Sequence, residues 1–574
     1  MRRFLSYKEE MKRLETLLAE VSTDEESINE DDDEDYNDEE QFSAHETSTE
    51  EEFDSDDEID ASNLGEFYTG KDGISKWSKE KPKQNIRTFS HNIVTKLPGN
   101  IGSATTVSSP ADAWSLLFDN IIIERIVDCT NIYIDKIVDN FQRERDAKRT
   151  NVIKIKAFIG LLYLCGVHKS SHVNVRDIWA TDGTGLEIFH HTMSYKRFLF
   201  LLRCLRFDDV RDRLKRKELD KLTPIRSVFE LFVNNCKKLY SLGEFITIDE
   251  KLEPFRGRCP FRQYIPNKPA KYGIKIFALV DARTFYTWNL EIYAGMQPEG
   301  PYKLENGADK VVMRLVEPIF NTGRNLTVDN WYTSVGLARE LLSKKITLVG
   351  TIRKNKREIP KEFTSSTGRE LYSSLFGFQK HMTLVSYIPK KNKCVLLLST
   401  MHNDDSIDTT SAESKKPEII TFYNLTKGAI DVVDEMSAAY STARISNRWP
   451  MVVFFSMLNT ASINARVLLL STDKPDEKYR KRRLFLKDLA LNLLKEHIEE
   501  RRMQPNISRN LRNELNSGQL GQVTEPRCKK LKSSVRKRCH ICPVVKDRKS
   551  KSCCSKCEKN VCGEHSSLVC NLCQ

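Results

Sequence analysis

Long hydrophobic runs are missing from this 574-residue chain, whose mean hydropathy is -0.49. The longest uncharged apolar stretch runs from Ala157 to Val167, far short of the roughly 20 residues a membrane helix needs. Met451 to Leu470 is greasier, but it carries Asn459, Ser462, Asn464 and Arg466, which predicts a buried helix. The opening MRRFLSYKEEMKRLETLL has no unbroken apolar stretch, so no signal peptide and no membrane partner are expected. A G-x-x-x-x-G-K-[ST] phosphate loop is also lacking, which argues against an ATP-driven machine and a nucleotide cofactor. Internal repeats are absent.

Basic residues are missing from one segment only. Asp24 to Asp60 holds 21 acidic residues and no Lys or Arg, and such a tract cannot collapse against its own repulsion. The net charge of the whole chain is +11, and the first 23 residues carry 5 basic against 4 acidic. Residues 61–574 therefore carry about +31, a charge that points to a polyanionic partner, most simply nucleic acid.

Helical spacing dominates between Ala111 and Leu242, as in IKAFIGLLYLCGVH and KRFLFLLRCLRF. From Phe245 short β-like runs (FITI, GIKIFALV, TWNLEIY, NLTV, ITLVGTI) alternate with the helical VVMRLVEPIF and VGLARELLSKK, predicting an α/β mixed-sheet core. Lys354 to Lys416 is turn-rich and basic, and helix returns after Lys427 to about Arg502.

The mixed core carries acids at informative places. Asp249 closes FITID, Asp329 closes NLTVDN, and Asp431 and Asp434 stand one helical turn apart in KGAIDVVDEM. An isolated Asp after a strand is usually a turn or cap residue. Carboxylates from separate elements can instead hold two Mg²⁺ ions about 3.5–4 Å apart for in-line phosphoryl transfer.

Eight of the 15 cysteines lie from Cys539 onward. Cys539 with Cys542, Cys554 with Cys557, Cys562 with His565 and Cys570 with Cys573 form a ladder of pairs, enough for two tetrahedral Zn²⁺ sites. A cross-brace shares alternate pairs, placing Cys539, Cys542, Cys562 and His565 on one ion and Cys554, Cys557, Cys570 and Cys573 on the other. So short a segment needs metal to fold. The scattered cysteines read as reduced core thiols. RCKKLKSSVRKR supplies Lys529, Lys530, Lys532, Arg536, Lys537 and Arg538, a run suited to nuclear import.

The blocks DEKLEPFRGRCPFRQYIPNKPAKYGIKIF, NLTVDNWYTS, LVGTIRKNKREIP, YNLTKGAIDVVDEM and SNRWPMVVFF, in this order, resemble the piggyBac family of DNA transposases from about Ala111 to Gln574. The resemblance implies an RNase H-like catalytic core in a multidomain α/β protein, with a catalytic triad at Asp249, Asp329 and Asp431 and a supporting acid at Asp434. It implies cut-and-paste transposition through Mg²⁺-dependent cleavage (Mn²⁺ as substitute), hairpin formation and strand transfer at TTAA sites. It also implies a homodimer on double-stranded DNA bearing terminal inverted repeats, while the basic run from Lys529 to Arg538 leads us to expect a nuclear location. The expected domains are a disordered acidic region (1–95), a helical DNA-binding and dimerisation domain (96–244 and 441–515), the catalytic core (245–353 and 418–440), a basic insertion domain (354–417), a basic linker (516–538) and the cysteine-rich zinc domain (539–574). Arg256, Arg258, Arg262, Lys268 and Lys271, interleaved with aromatics, are candidates for gripping DNA, as are Arg353, Lys354, Lys356 and Arg357 beyond a strand, and Arg448. The rival reading is a host-recruited, sequence-specific DNA-binding protein that does no transposition. A zinc-dependent interaction adaptor would explain the tail alone.

Overall fold

Capping side chains placed ahead of apolar runs start the first helices. Ser109, Asp119 and Asn151 accept the N–H groups of Asp112, Ile122 and Lys154, opening α1 (Pro110–Leu117), α2 (Asn120–Ile137) and α3 (Val152–Val167). The computed structural model describes residues 66–82, 90–266, 268, 270–505, 507–516, 537–550 and 560–565. It divides into two units, 1–511 and 512–574.

In the first unit α4 (Tyr195–Cys204) and α5 (Arg226–Leu239) complete the early helices. Helices α6 (Ala308–Val316) and α7 (Val335–Ser343) lie among the strands, and α8 (Glu418–Lys427), α9 (Ala429–Ala439), α10 (Trp449–Leu470) and α11 (Arg482–Arg502) follow them. The early and late helices make one body. Trp114 Nε1 donates to Tyr163 Oη, which donates to the carbonyl of Leu458, linking α1, α3 and α10. Helix α10 is long and apolar enough to cross a membrane, yet most of it is buried among its neighbours, as its polar residues predict.

The strands are β1 (Phe67–Thr69), β2 (Lys76–Ser78), β3 (Gly99–Asn100), β4 (Tyr240–Ser241), β5 (Phe245–Pro254), β6 (Gln263–Tyr264), β7 (Tyr272–Asp281), β8 (Thr287–Ile292), β9 (Asn325–Val328), β10 (Thr347–Thr351), β11 (Ser374–Gln379), β12 (Met382–Lys390) and β13 (Lys393–Ser399). β3 and β4 pair apart from the rest. The main sheet runs β1-β2-β11-β12-β13-β10-β9-β5-β7-β6, with β8 also on β7. Its centre joins an antiparallel meander, β5-β7-β8, to two strands parallel to β5, namely β9 and β10.

In the first unit the structure changes three expectations of the fold. Residues 66–82, expected to be disordered, form β1 and β2 at the sheet edge. The acidic tract ends at Asp60, and Trp77, fully buried, anchors the segment. Residues 354–417 are not a separate domain, because β13 pairs antiparallel with β10 and extends the same sheet. Their core is shared too: Ile419, Ile420, Phe422 and Tyr423 of α8 pack on Val349, Val385, Tyr387 and Leu397. Asp249 stands inside a ten-residue strand rather than at its end. The acidic tract 24–60 lies outside the described residues.

In the second unit β14 (Lys537–Arg538) pairs with β15 (Lys549–Ser550), so these two basic residues belong to a strand rather than to the linker. Lys529, Lys530, Lys532 and Arg536 lie outside the described residues.

Candidate active site

Strand alternation builds the site. Thr247, Asp249, Lys251 and Glu253 share one face of β5. Thr247 Oγ1 donates to the carbonyl of Thr426 at 2.6 Å, and Lys251 Nζ lies 3.4 Å from Asp434 Oδ1. Asp249, between them, therefore faces the junction of α8 and α9. On β9 Thr327 Oγ1 meets Thr426 Oγ1 at 2.7 Å, placing Thr327, and Asp329 two residues on, under the same junction. Asp431 occupies the first turn of α9 and Asp434 the next.

Asp329 organises its own turn. Its Oδ1 accepts the Trp331 N–H at 2.9 Å, and its carbonyl accepts the Thr333 hydroxyl at 2.8 Å. Gly350 of β10 permits this approach, since a Cβ there would meet Thr333 Oγ1 at 2.3 Å and the Val328 carbonyl at 2.7 Å.

Crowded negative charge dominates the electrostatics. Burial, Glu250 and Asp329 push Asp249 well above the usual carboxylate range. Burial, with Glu253, pushes Asp434 up to about 6, against the opposing pull of Lys251 and Lys268. Two ammonium groups balance the cluster. Lys251, 1% exposed, sits between Glu253 at 3.3 Å and Asp434. Lys268 Nζ lies 3.7 Å from Asp431 Oδ1; burial would lower it, but Asp249, Asp431 and Asp434 outweigh that and hold it up.

The four expected acids thus gather where the parallel pairing of β5 with β9 ends. Their hard oxygen donors and mutual repulsion fit divalent cations. They do not close on a common point: among the described residues, the set of Cys, His, Asp or Glu ligand atoms that all lie within 4.8 Å of one another is Cys539, Cys542, Cys562 and His565. Sequence reasoning missed Glu250, Lys251, Tyr332 and Tyr423. Tyr332 Oη donates to Glu250 Oε2 at 3.3 Å, and the Asp249 and Asp329 charges, after burial, raise both tyrosines.

Arg256, Arg258, Arg262 and Trp449 line one groove. Arg262 also braces that loop, donating to the carbonyls of Arg256 and Gly257. Arg353, Lys356 and Arg357 line a second groove with Asn330 and Trp331, next to Asp329. Trp331 is stacked on Phe277 at 6.0 Å, with Lys275 Nζ 4.7 Å from its ring. Lys271 closes its turn at φ 54. Arg448, expected to reach phosphate, donates to the carbonyls of Arg203 and Leu205 at 2.9 and 2.5 Å, and burial lowers it to about 10.

In the second unit four expected zinc ligands come together. Sγ of Cys542 and Cys562 are 3.6 Å apart, and His565 Nδ1 lies 3.7, 3.5 and 3.3 Å from Cys539, Cys542 and Cys562. A tetrahedral ion about 2.3 Å from each sulphur spaces such ligands about 3.8 Å apart, so the set fits Zn²⁺. Against the upward push of burial, backbone N–H groups hold Cys539 down to about 5, while burial and neighbouring sulphurs lift Cys542 to about 11. Cys554, Cys557, Cys570 and Cys573 lie outside the described residues.

Residues 109–466 match the family model described as Transposase IS4. A piggyBac transposase, solved as a synaptic complex with hairpin DNA, superposes with a TM-score of 0.68 at 35% identity, covering 83% of this chain and 100% of that one. This chain belongs to the piggyBac-type transposase family. Within that family it is similar to the Homo sapiens piggyBac transposable element-derived protein 3, with 22% identity over 376 residues, or 62% of this chain. It is also similar to Homo sapiens piggyBac transposable element-derived protein 2, with 26% identity over 260 residues, or 44% of this chain. The chain spans 60% and 41% of the lengths of these two relatives.

Proposed function

We propose that this piggyBac-type chain is a cut-and-paste DNA transposase acting at TTAA sites, with Asp249, Asp329 and Asp431 as its catalytic acids and Asp434 in support. The observation that carries this reading is the placement of Asp249 and Asp329 one residue beyond the register pair Ile248 and Val328, facing the first turns of α9. The strand order β8-β7-β5-β9-β10, an antiparallel meander followed by parallel strands, supports an RNase H-like core.

Asp249, Asp329, Asp431 and Asp434 would hold paired Mg²⁺ ions. When bound, such ions activate a water or 3′-hydroxyl nucleophile and stabilise the leaving oxygen. The chain supplies the rest. Asp329 fixes the turn that carries Asn330 and Trp331, Lys251 steadies Asp434, and the two basic grooves take DNA backbone on either side. Hairpin formation at the transposon end and strand transfer to target are both in-line phosphoryl transfers. Double-stranded DNA carrying the terminal repeats, a homodimer on that DNA, a nuclear location and a second zinc ion complete the proposal.

A second reading, a DNA-binding protein that keeps the fold without transposing, is favoured because, among the described residues, no three carboxylates bring oxygens all within 4.8 Å of one another. One assay separates the two: excision from a plasmid carrying the element's native ends, with Mg²⁺, for the native chain and Asp249→Asn. Excision lost in the variant while DNA binding persists supports the first reading. Binding without excision by the native chain supports the second.

A further inference from the structure

The hairpin at 66–82 is fastened to one loop above all others. Lys71 Nζ donates to the carbonyl of Lys354 at 2.9 Å, the Asp72 N–H to that of Arg357 at 2.9 Å, and the Trp77 indole N–H to that of Glu358 at 2.9 Å. The Lys71 N–H also donates to Ile359 at 3.4 Å, and Gly70 bridges to Pro360. Gly70 permits this approach, because a Cβ there would meet the Glu358 carbonyl at 2.8 Å. Every donor comes from the hairpin, and every acceptor is a main-chain carbonyl of Lys354–Ile359. The loop is thus shaped from outside, leaving its side chains uncommitted to these bonds. Arg353, Lys356 and Arg357 line the groove with Asn330 and Trp331, and Asp72 and Glu358 line it too.

The hairpin is also tied to the sheet independently of that loop. Ser78 pairs with Phe378, and Tyr68 packs edge-on against Phe363 at 5.1 Å. Its position is therefore fixed by the fold.

We propose that this hairpin is a positioning clamp, in which Lys71, Asp72 and Trp77 hold the Lys354–Ile359 backbone so that Arg353, Lys356 and Arg357 present a phosphate-binding face beside Asp329. Its role in DNA binding rests on the transposase reading. The clamp itself does not, and the test keeps the two apart.

The test uses the full chain with Trp77→Phe, which keeps an aromatic ring but removes the N–H donor, and Lys71→Met at an exposed position. Lys81→Met breaks the exposed ion pair with Asp405 on the same hairpin and serves as control. Limited trypsin digestion reads opening of the loop at Lys354, Lys356 and Arg357. Losing one anchoring hydrogen bond should speed cleavage there about five- to tenfold in each clamp variant, with no change in Lys81→Met. A duplex containing TTAA, titrated across salt concentrations, reads the binding face. Each phosphate left without its cation lowers the log–log salt slope by about 0.9, so the clamp variants should bind more weakly with a shallower slope. Unchanged cleavage in both clamp variants would overturn the clamp. Faster cleavage with unaltered affinity and slope would overturn its role in binding. If the native chain fails to bind the duplex, the DNA reading falls and the digestion still decides the clamp.

Discussion

Asp249 and Asp329 stand side by side where the parallel pairing of β5 with β9 ends, each one residue beyond the register pair Ile248 and Val328. Removing one of these charges should separate chemistry from folding. Asp249→Asn is expected to reduce Mg²⁺-dependent nicking by about 10³-fold or more, because several kcal/mol of charge stabilisation at the reacting phosphate is lost. Without divalent ions the same variant should melt at a higher temperature than the native chain at pH 7.5, since burial, Glu250 and Asp329 all oppose ionisation of Asp249. Nicking by the variant at near-native rates would remove Asp249 from the catalytic set.

Asp434 gives the site a pH dependence. Its folded-state value of about 6 stands above the ordinary 3.8, so the fold favours the protonated form. That stability is present below about pH 4 and is lost as pH rises through 6. Melting of the metal-free protein between pH 5 and 8 should therefore show Asp434→Asn matching the native chain near pH 5 and exceeding it at pH 7.5. Divalent-ion affinity should run the other way and weaken as pH falls through 6, because protons compete for the carboxylate. Calorimetric titration with Mn²⁺ at pH 5.5 and 7.5 measures that slope.

Much of this site could be read before the fold, for identifiable reasons. Asp249, Asp329 and Asp431 each follow an apolar run or open an amphipathic helix, so local pattern marks them. The sequence marks no strand beyond Asp249, yet Lys251 is buried and paired, because β5 continues past Asp249 and is covered by α9 and α10. No local periodicity announces a buried ion pair. The three-residue strands β1 and β2 are too short to show alternation, and the pairing of β13 with β10 is non-local. Cys539, Cys542, Cys562 and His565 were legible because ligand spacing is itself a local signal.

Lys251 should prove costly to remove. Lys251→Met removes the buried ammonium from between Glu253 and the partly exposed Asp434, and the loss should stay below the roughly 3–5 kcal/mol of breaking a fully buried pair, at about 2 kcal/mol. Glu253 also accepts the Ser456 hydroxyl at 2.6 Å, so the strain would reach α10. Chemical denaturation should show this loss, and adding Glu253→Gln should restore part of it. A single substitution that left the denaturation midpoint unchanged would show that the ammonium does not balance these acids.

Gly350 tests whether the Asp329 turn depends on close backbone approach. Gly350→Ala forces a methyl group against Thr333 Oγ1 and the Val328 carbonyl, and such overpacking costs about 1–3 kcal/mol. Because Thr333 donates to the Asp329 carbonyl, nicking should fall further than the stability loss alone explains. Activity per folded molecule equal to that of the native chain would mean the turn tolerates the shift.

Metal content tests the cysteine-rich unit directly. The native chain should carry two zinc ions, and Cys542→Ser, which removes one donor from the set around His565, should carry one. Cys542 is pushed up to about 11 in the absence of metal, by burial and the adjoining sulphurs, so ionising it for coordination releases a proton. Zinc loading should therefore acidify an unbuffered sample, and chelator-stripped protein should regain its metal more weakly as pH falls. Elemental analysis of the purified native and variant chains gives the stoichiometry, and two ions retained in Cys542→Ser would exclude this cysteine as a ligand.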